Sequence, residues 1–189
     1  MLTGARAVLR ELRRDDVALR HAAVAGDPEL HAVTDVTPWR PQPLERALAA
    51  YDKQLAEEPD RKVAWFAVAR RDDPELACVG DAGLWGIDEH QRTAHLGITV
   101  FPAARGQGLG TDVVRLLCAY AFRDRGLHRL QAETLASNTG MRRAALASGF
   151  TEEGRLRESA YVLGDRVDEV LFGLLRAEWL AAAGGGSAG

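Results

Sequence analysis

The segment LGITVFPAARGQGLGTDVVRLLCAYAF, Leu96 to Phe122, places glycines at 106, 108 and 110, between an apolar run and a long apolar-periodic stretch. Glycine at alternate positions lets a backbone approach a ligand closely and present consecutive N–H groups. A helix starting directly afterwards adds the positive end of its dipole. That chemistry suits a phosphate. The nucleotide pattern G-x-x-x-x-G-K-[ST] is excluded because Thr111 and Asp112 follow Gly110, and the dinucleotide pattern G-x-G-x-x-G is excluded because position 111 is threonine. What remains is R-x-x-G-x-G: Arg105, Gly108 and Gly110, with Gly106 added. A glycine-rich connection that holds no ligand has the same letters.

Just upstream, His95 alternates with Gly97 and Thr99 along TAHLGITV, on one side of an expected strand. Imidazole titrates near neutrality, so His95 is a candidate proton acceptor; a strand histidine that is merely hydrogen-bonded has the same spacing. Asp81, Glu133 and Asp168 are alternative bases. Cys78 and Cys118 lie far apart in apolar stretches, without C-x-x-C spacing or a histidine beside them in sequence, and read as small buried hydrophobes. Arg142 and Arg143 make a small basic spot, for which a solvated helix face is the simpler reading.

These residues need a scaffold, and the periodicity supplies one. ARAVLREL, Ala5 to Leu12, reads as a first strand, and Asp15 can cap a helix that stops at Gly26. PLERALAAYDKQLAEE forms a second helix with Pro43 at its first position. The proline-rich TDVTPWRPQP joins the two as an extended connection. KVAWFAVAR, ELACVGDAGLWGI and TAHLGITVF, separated by RDDPE and DEHQR, predict an antiparallel meander. After the glycines comes a helix from Asp112 to Arg125, then the strand HRLQAETL, a short helix ending at Gly149, and strands near 155–163 and 167–175. A strand, helix, strand unit around the glycines predicts parallel flanking strands. Element order therefore predicts an α/β (α+β) fold, a mixed, mostly antiparallel sheet of about seven strands with about four helices on its faces.

The chain of 189 residues suits one domain, 1–180, with AAAGGGSAG, 181–189, as a tail that cannot pack. Net charge is -3 and the isoelectric point near 6.0, which gives no global electrostatic reason to bind nucleic acid. Without a charged-then-apolar leader or a bilayer-length apolar run, and with no need of a disulfide, the composition predicts a cytoplasmic protein with no membrane partner.

The letters resemble the GNAT superfamily of N-acetyltransferases, in particular its ribosomal-protein-alanine (RimJ/RimL type) branch, over nearly the whole chain. Arg105-Gly106-Gln107-Gly108-Leu109-Gly110 matches the family loop [RQ]-x-x-G-x-[GA] and follows a strand. Asn138 after the next strand, ASGFTEEG from Ala147 to Gly154, and GDRVDEVLFGLL near the end occur in the family's order and spacing.

The resemblance implies a GNAT acyl-CoA N-acyltransferase fold, with acetyl-CoA (coenzyme A) held at its pyrophosphate by main-chain N–H groups across Gly106, Gln107, Gly108, Leu109, Gly110 and Thr111. It further implies that pantetheine pairs with backbone near Ile98, Thr99, Val100 and Phe101 in a gap between splayed strands, with Arg105, Asn138 and Arg142 also on the cofactor side. Acetyl passes to a primary amine, of a small molecule or a peptide N-terminus, by direct attack. The oxyanion stabiliser is expected to be a backbone N–H between Ile98 and Val100. The branch often carries glutamate where this chain has His95. Asp168 matches an aspartate suited to an acceptor ammonium; pairing with Arg166 would equally explain it. Trp39 resembles an aromatic of the acceptor lid, and Asp81 and Tyr161 are further acceptor contacts. The family's proton donors are missing: the serine position three residues after Asn138 is Met141, and the tyrosine position is Ala145. Tyr161 is the substitute donor, or the thiolate leaves unassisted. That departure keeps two other functions open, transfer from another acyl-CoA such as succinyl-CoA, and a noncatalytic acyl-CoA sensor. The family often forms dimers, so a homodimer is the expected self-association; no metal is implied.

Overall fold

The computed structural model of the chain describes residues 1–34, 37–57 and 60–184. Eight strands form one sheet: β1 (Leu2–Thr3), β2 (Ala7–Arg10), β3 (Ala64–Arg70), β4 (Cys78–Asp88), β5 (Thr93–Val100), β6 (Arg129–Leu135), β7 (Thr151–Val162) and β8 (Asp165–Leu175). Among the described residues the six α-helices are α1 (Arg14–Arg20), α2 (Pro28–Thr34), α3 (Leu44–Ala56), α4 (Leu109–Ala119), α5 (Thr139–Ala147) and α6 (Arg176–Gly184). Strand order is β1-β2-β3-β4-β5-β6-β8-β7, antiparallel throughout except for β5 and β6.

The expected fold class, meander and parallel pair are all present; the counts are higher by the short β1 and by α2 and α6. Helix α6 reaches Gly184, into the segment expected to be a tail, and residues 185–189 lie outside the described residues. Arg13, not Asp15, is the N-cap of α1, and Asp16 supplies the capping carboxylate by accepting from the Arg13 N–H at 2.7 Å. Two helices end in wider π turns, His21–Ala25 after α1 and Tyr120–Asp124 after α4, and both stop near the expected glycines. Among the described residues, no helix is long and apolar enough to cross a membrane.

The sheet has two differently covered faces. Side chains at alternate strand positions point the same way, so register assigns them. Ala94, Leu96 and Ile98 of β5 face α4, where they join Val113, Val114, Leu117 and Phe122 in the main core. The opposite face carries Thr93, His95, Gly97 and Thr99. A second, smaller core covers part of that face, with Val24 and Leu30 over Ala67, Cys78 and Phe101. Burying apolar side chains stabilises each by roughly 1.5–3 kcal/mol, which fixes α4 on one face and the α1–α2 segment on the other.

Candidate active site

Strand β5 pairs with β6 only through Thr93↔Arg129, Ala94↔Leu130 and His95↔Gln131. Beyond His95 the two strands part, although β5 continues to Val100 against β4 and β6 to Leu135 against β8. The β6-facing edge of Leu96 to Val100 therefore lacks a strand partner. A gap in mid-sheet exposes main-chain donors and acceptors that otherwise have to be paired, and it connects the α4 face to the His95 face.

The glycine loop sits at the mouth of this gap. A short 3-10 turn, Pro102–Ala104, leaves β5, and Gly106 (φ 75°) and Gly108 (φ 76°) take left-handed conformations that side chains disfavour. Gly108 is the N-cap of α4, with no side-chain cap. Among the described residues, the N–H groups of Gly106 to Thr111 donate to no protein acceptor; the first helical bond here is Asp112 N–H to Gly108 at 3.5 Å. Six unpaired donors at the positive end of a helix are the kind of main-chain group that can hold an anion with neither lysine nor metal. Leu109 itself is buried in the core, so only its backbone faces the loop. Thr99, at the open end of β5, lies on the His95 face.

The loop is held from outside. Arg6 donates to the Gln107 carbonyl at 3.2 Å, and Arg70 donates to the Gln107 side chain. Arg105 folds back so that its Nε donates to the Val100 carbonyl at 2.9 Å, which occupies one of the acceptors expected to serve pantetheine. Asp112, in the first turn of α4, accepts from the N–H groups of Ala5 (3.3 Å), Arg6 (2.7 Å) and Ala7 (2.8 Å). Sequence reading saw only helix-end chemistry in Asp112; its partners lie more than a hundred positions away, and no local signal announces them.

Across the gap Asn138 caps α5, its Oδ1 accepting from the Met141 N–H at 3.0 Å, which leaves the amide nitrogen free of that cap. Arg142 donates to the Ala136 carbonyl and pairs with Glu152 at 3.2 Å, and its Nε is buried without a partner.

On the opposite face, His95 Nδ1 lies 3.4 Å from Glu133 Oε1, and the two side chains are 32% and 47% exposed. The His95 ring is nearly parallel to Trp85 at 5.8 Å, and Trp85 to Trp65 at 6.1 Å. A solvent-accessible imidazole with a carboxylate at one nitrogen can accept a proton at the other. Sequence reading named Glu133 as an alternative base but did not connect it with His95, because strand order alone sets that proximity.

The other expected acceptor contacts have protein partners of their own, Asp81 on the His95 face opposite Thr99. Asp81 pairs with Arg20 at 2.9 Å and is almost enclosed. Burial pushes its carboxyl above the usual range, against the opposing pull of Arg20. Asp168 accepts from the Glu158 N–H at 2.9 Å and from Arg155 at 2.7 Å, and these two hold its carboxyl below the usual range; its partner is Arg155, not Arg166. Tyr161 lies at the end of the β7–β8 hairpin, 66% exposed, with the Arg166 guanidinium 5.5 Å from its ring centre. Trp39 donates to the Ala25 carbonyl at 2.8 Å, which fastens the connection to the end of the first helix. Both cysteines are buried, and burial pushes the Cys118 thiol up to about 12, so neither offers an accessible thiolate.

The loop, the gap and the element order coincide with a profile match: residues 6–151 fit the description "Acetyltransferase (GNAT) domain". The chain belongs to the GNAT acetyltransferase family. Two relatives of this GNAT domain are Bacillus subtilis (strain 168) proteins. "Probable N-acetyltransferase YjcK" is 32% identical over 131 residues, 69% of this chain and 70% of that protein. "Uncharacterized N-acetyltransferase YoaA" is 26% identical over 133 residues, 70% and 74% of the two. Among solved structures, spermidine N-acetyltransferase from Vibrio cholerae, in complex with CoA and spermine, superposes on the GNAT domain with a TM-score of 0.78 at 22% identity, covering 92% of this chain and 98% of that one.

Proposed function

We propose that this GNAT domain transfers acetyl from acetyl-CoA to a small primary amine in a ternary complex, with His95 as base. The carrying observation is the parting of β5 from β6 beyond His95: it joins a cradle of unpaired N–H groups on one face to an imidazole–carboxylate pair on the other. The unpaired N–H groups of Gly106 to Thr111, at the start of a helix, are enough in number to hold a diphosphate. The unpaired edge of Leu96 to Val100 fits the amides of pantetheine, and the Asn138 amide nitrogen is available from the far side. Acetyl-CoA supplies a thioester whose thiolate is a moderate base and can depart without a protein acid.

His95 takes the amine proton, directly or through one water, while Glu133 orients the ring and favours the imidazolium that forms. A main-chain N–H on the open edge of β5 stabilises charge on the thioester oxygen. Neither cysteine takes part, which favours direct attack over a thiol relay. Tyr161, Asp168 and Asp81 are left with structural partners of their own in this reading. A small acceptor is favoured by the similarity to spermidine N-acetyltransferase; the RimJ/RimL-type motifs favour a peptide N-terminus as a second reading.

Calorimetry with CoA, followed by thiol release from acetyl-CoA with a panel of alkylamines, arylalkylamines, spermidine and N-terminal alanine peptides, tests the proposal. Heat with CoA and turnover of at least one small amine are expected. Binding of CoA with no turnover would favour a sensor, and stronger turnover with succinyl-CoA a different acyl donor.

A further inference from the structure

The register that places His95 on the open face also places two tryptophans there. Trp65 pairs with Gly83 and Gly83 with Gly97, while Trp85 pairs with His95. Both indoles lie across a glycine of the neighbouring strand. A Cβ at Gly83 would stand 2.4 Å from Trp65 Cε3, and one at Gly97 2.8 Å from Trp85 Cζ3. Glycine at 83 and 97 therefore provides room for two reclining rings, the second bordering His95. The three rings run nearly parallel, 6° between Trp65 and Trp85 and 22° between Trp85 and His95, so they form an apolar shelf of parallel rings running away from the proton acceptor. The α1–α2 segment covers the sheet around Ala67 and Cys78 but leaves Trp65 45% exposed. Glu133 stands on the other side of His95, also open to solvent.

From this arrangement we infer that the acceptor amine carries an aromatic ring on a short aliphatic spacer, the nitrogen held at the His95 ring nitrogen that does not face Glu133 and the ring lying against Trp85 and Trp65. The inference rests on the reading of the β5–β6 gap as the acetyl-transfer site. Charge and shape both support this acceptor. The carboxylate attracts the protonated amine on arrival, and the shelf offers its ring apolar contact and stacking geometry. A linear polyamine presents cations along its whole length and gains little from a shelf beside which Asp81, an acid farther along this face, is already paired with Arg20 and almost enclosed. Trp85 touches His95, so it both lines the site and positions the base. Among the described residues the ring pairs are Trp65 with Trp85 and Trp85 with His95, which makes Trp65, one ring removed from the base, the specificity-determining residue that can be changed cleanly.

The experiment compares tryptamine, phenethylamine, butylamine and spermidine as acceptors for the native chain and for Trp65→Ala, Trp65→Leu and Trp65→Phe. Binding of each amine to the CoA-saturated protein is measured in parallel by calorimetry. Tryptamine and phenethylamine are expected to have the highest kcat/KM. Trp65→Ala should raise KM for tryptamine roughly tenfold with kcat nearly unchanged, leave butylamine unaffected, and be largely rescued by Phe but not by Leu. Equal loss for all four amines, or a preference for spermidine, overturns the inference while leaving acetyl transfer intact. If no amine is turned over, the transfer reading fails by itself. Tryptamine binding that weakens in Trp65→Ala would then still uphold the shelf, and binding that does not would remove it.

Discussion

At the scale of single residues, the proposed chemistry follows from His95, which stands beside a glutamate of the next strand, 3.4 Å away. The strand spacing of His95, Gly97 and Thr99 was legible in sequence because alternation is local. The Glu133 partnership was not, since it depends on β6 lying parallel to β5 in one particular register, His95↔Gln131. The same limit applies to Gly97: close approach was readable from the letter, but the approaching group is the Trp85 indole. If His95 is the base, His95→Ala lowers kcat/KM at neutral pH by about 10²–10³ and leaves CoA affinity unchanged. Activity in the variant should also lose the rise with pH that deprotonation of an imidazole imposes. Glu133→Gln should reduce kcat by less, about tenfold, because it removes the orienting charge and keeps the base. A pH–rate profile of His95→Ala parallel to the native one would assign proton removal to another group.

At the scale of the element, the strand–loop–helix unit of β5 and α4 shows why the three loop glycines are not equivalent. Gly106 and Gly108 have positive φ, whereas Gly110 is helical and an added Cβ would meet Ile98 Cδ1 at 3.5 Å, an ordinary contact. The family pattern allows alanine at that last position, and the geometry supplies the reason. Gly110→Ala should therefore bind CoA within about twofold of the native chain and gain up to about 1 kcal/mol in helix stability. Gly108→Ala should cost about 1–2 kcal/mol through left-handed strain at the N-cap, and should raise the dissociation constant for CoA tenfold or more as the N–H groups turn away. Calorimetry and thermal melting of both variants read these values. Equal CoA affinity in the two would mean that the loop does not hold the diphosphate. The loop was legible because its pattern is contiguous. Its fastening by Asp112 to residues 5–7 was not, because a carboxylate in a first turn reads as dipole chemistry whether or not three distant N–H groups converge on it.

At the scale of the whole molecule, the covered part of the His95 face depends on one buried ion pair that sequence reading missed, Arg10 with Asp16. Arg10 Nη1 and Nη2 donate to the two carboxylate oxygens at 2.6 and 2.9 Å, and both residues are at most 3% exposed. The pair joins β2 to the first turn of α1, and α1 carries Arg20, which reaches Asp81 on β4. A charged pair inside ARAVLRELRRDD is invisible to periodicity, which reads both residues as solvated. Burial alone would raise the Asp16 carboxyl, but the hydrogen bonds from Arg10 and the Arg13 N–H outweigh it and hold the group below its ordinary 3.8. A carboxyl whose pKa is depressed by folding contributes stability that is fully present above the unfolded value and is lost as pH falls through the folded one. Melting temperature should therefore fall as pH drops below about 4. Asp16→Asn leaves the buried guanidinium without its charge partner, at a cost of about 3–5 kcal/mol, or about 10 °C in melting temperature for a domain of this size. The variant should also lose the part of the acid dependence that Asp16 carries, so the native and variant melting curves converge at low pH. If the gap between them stayed constant down to pH about 2, the pair would not be the link by which acid loosens α1 from the sheet.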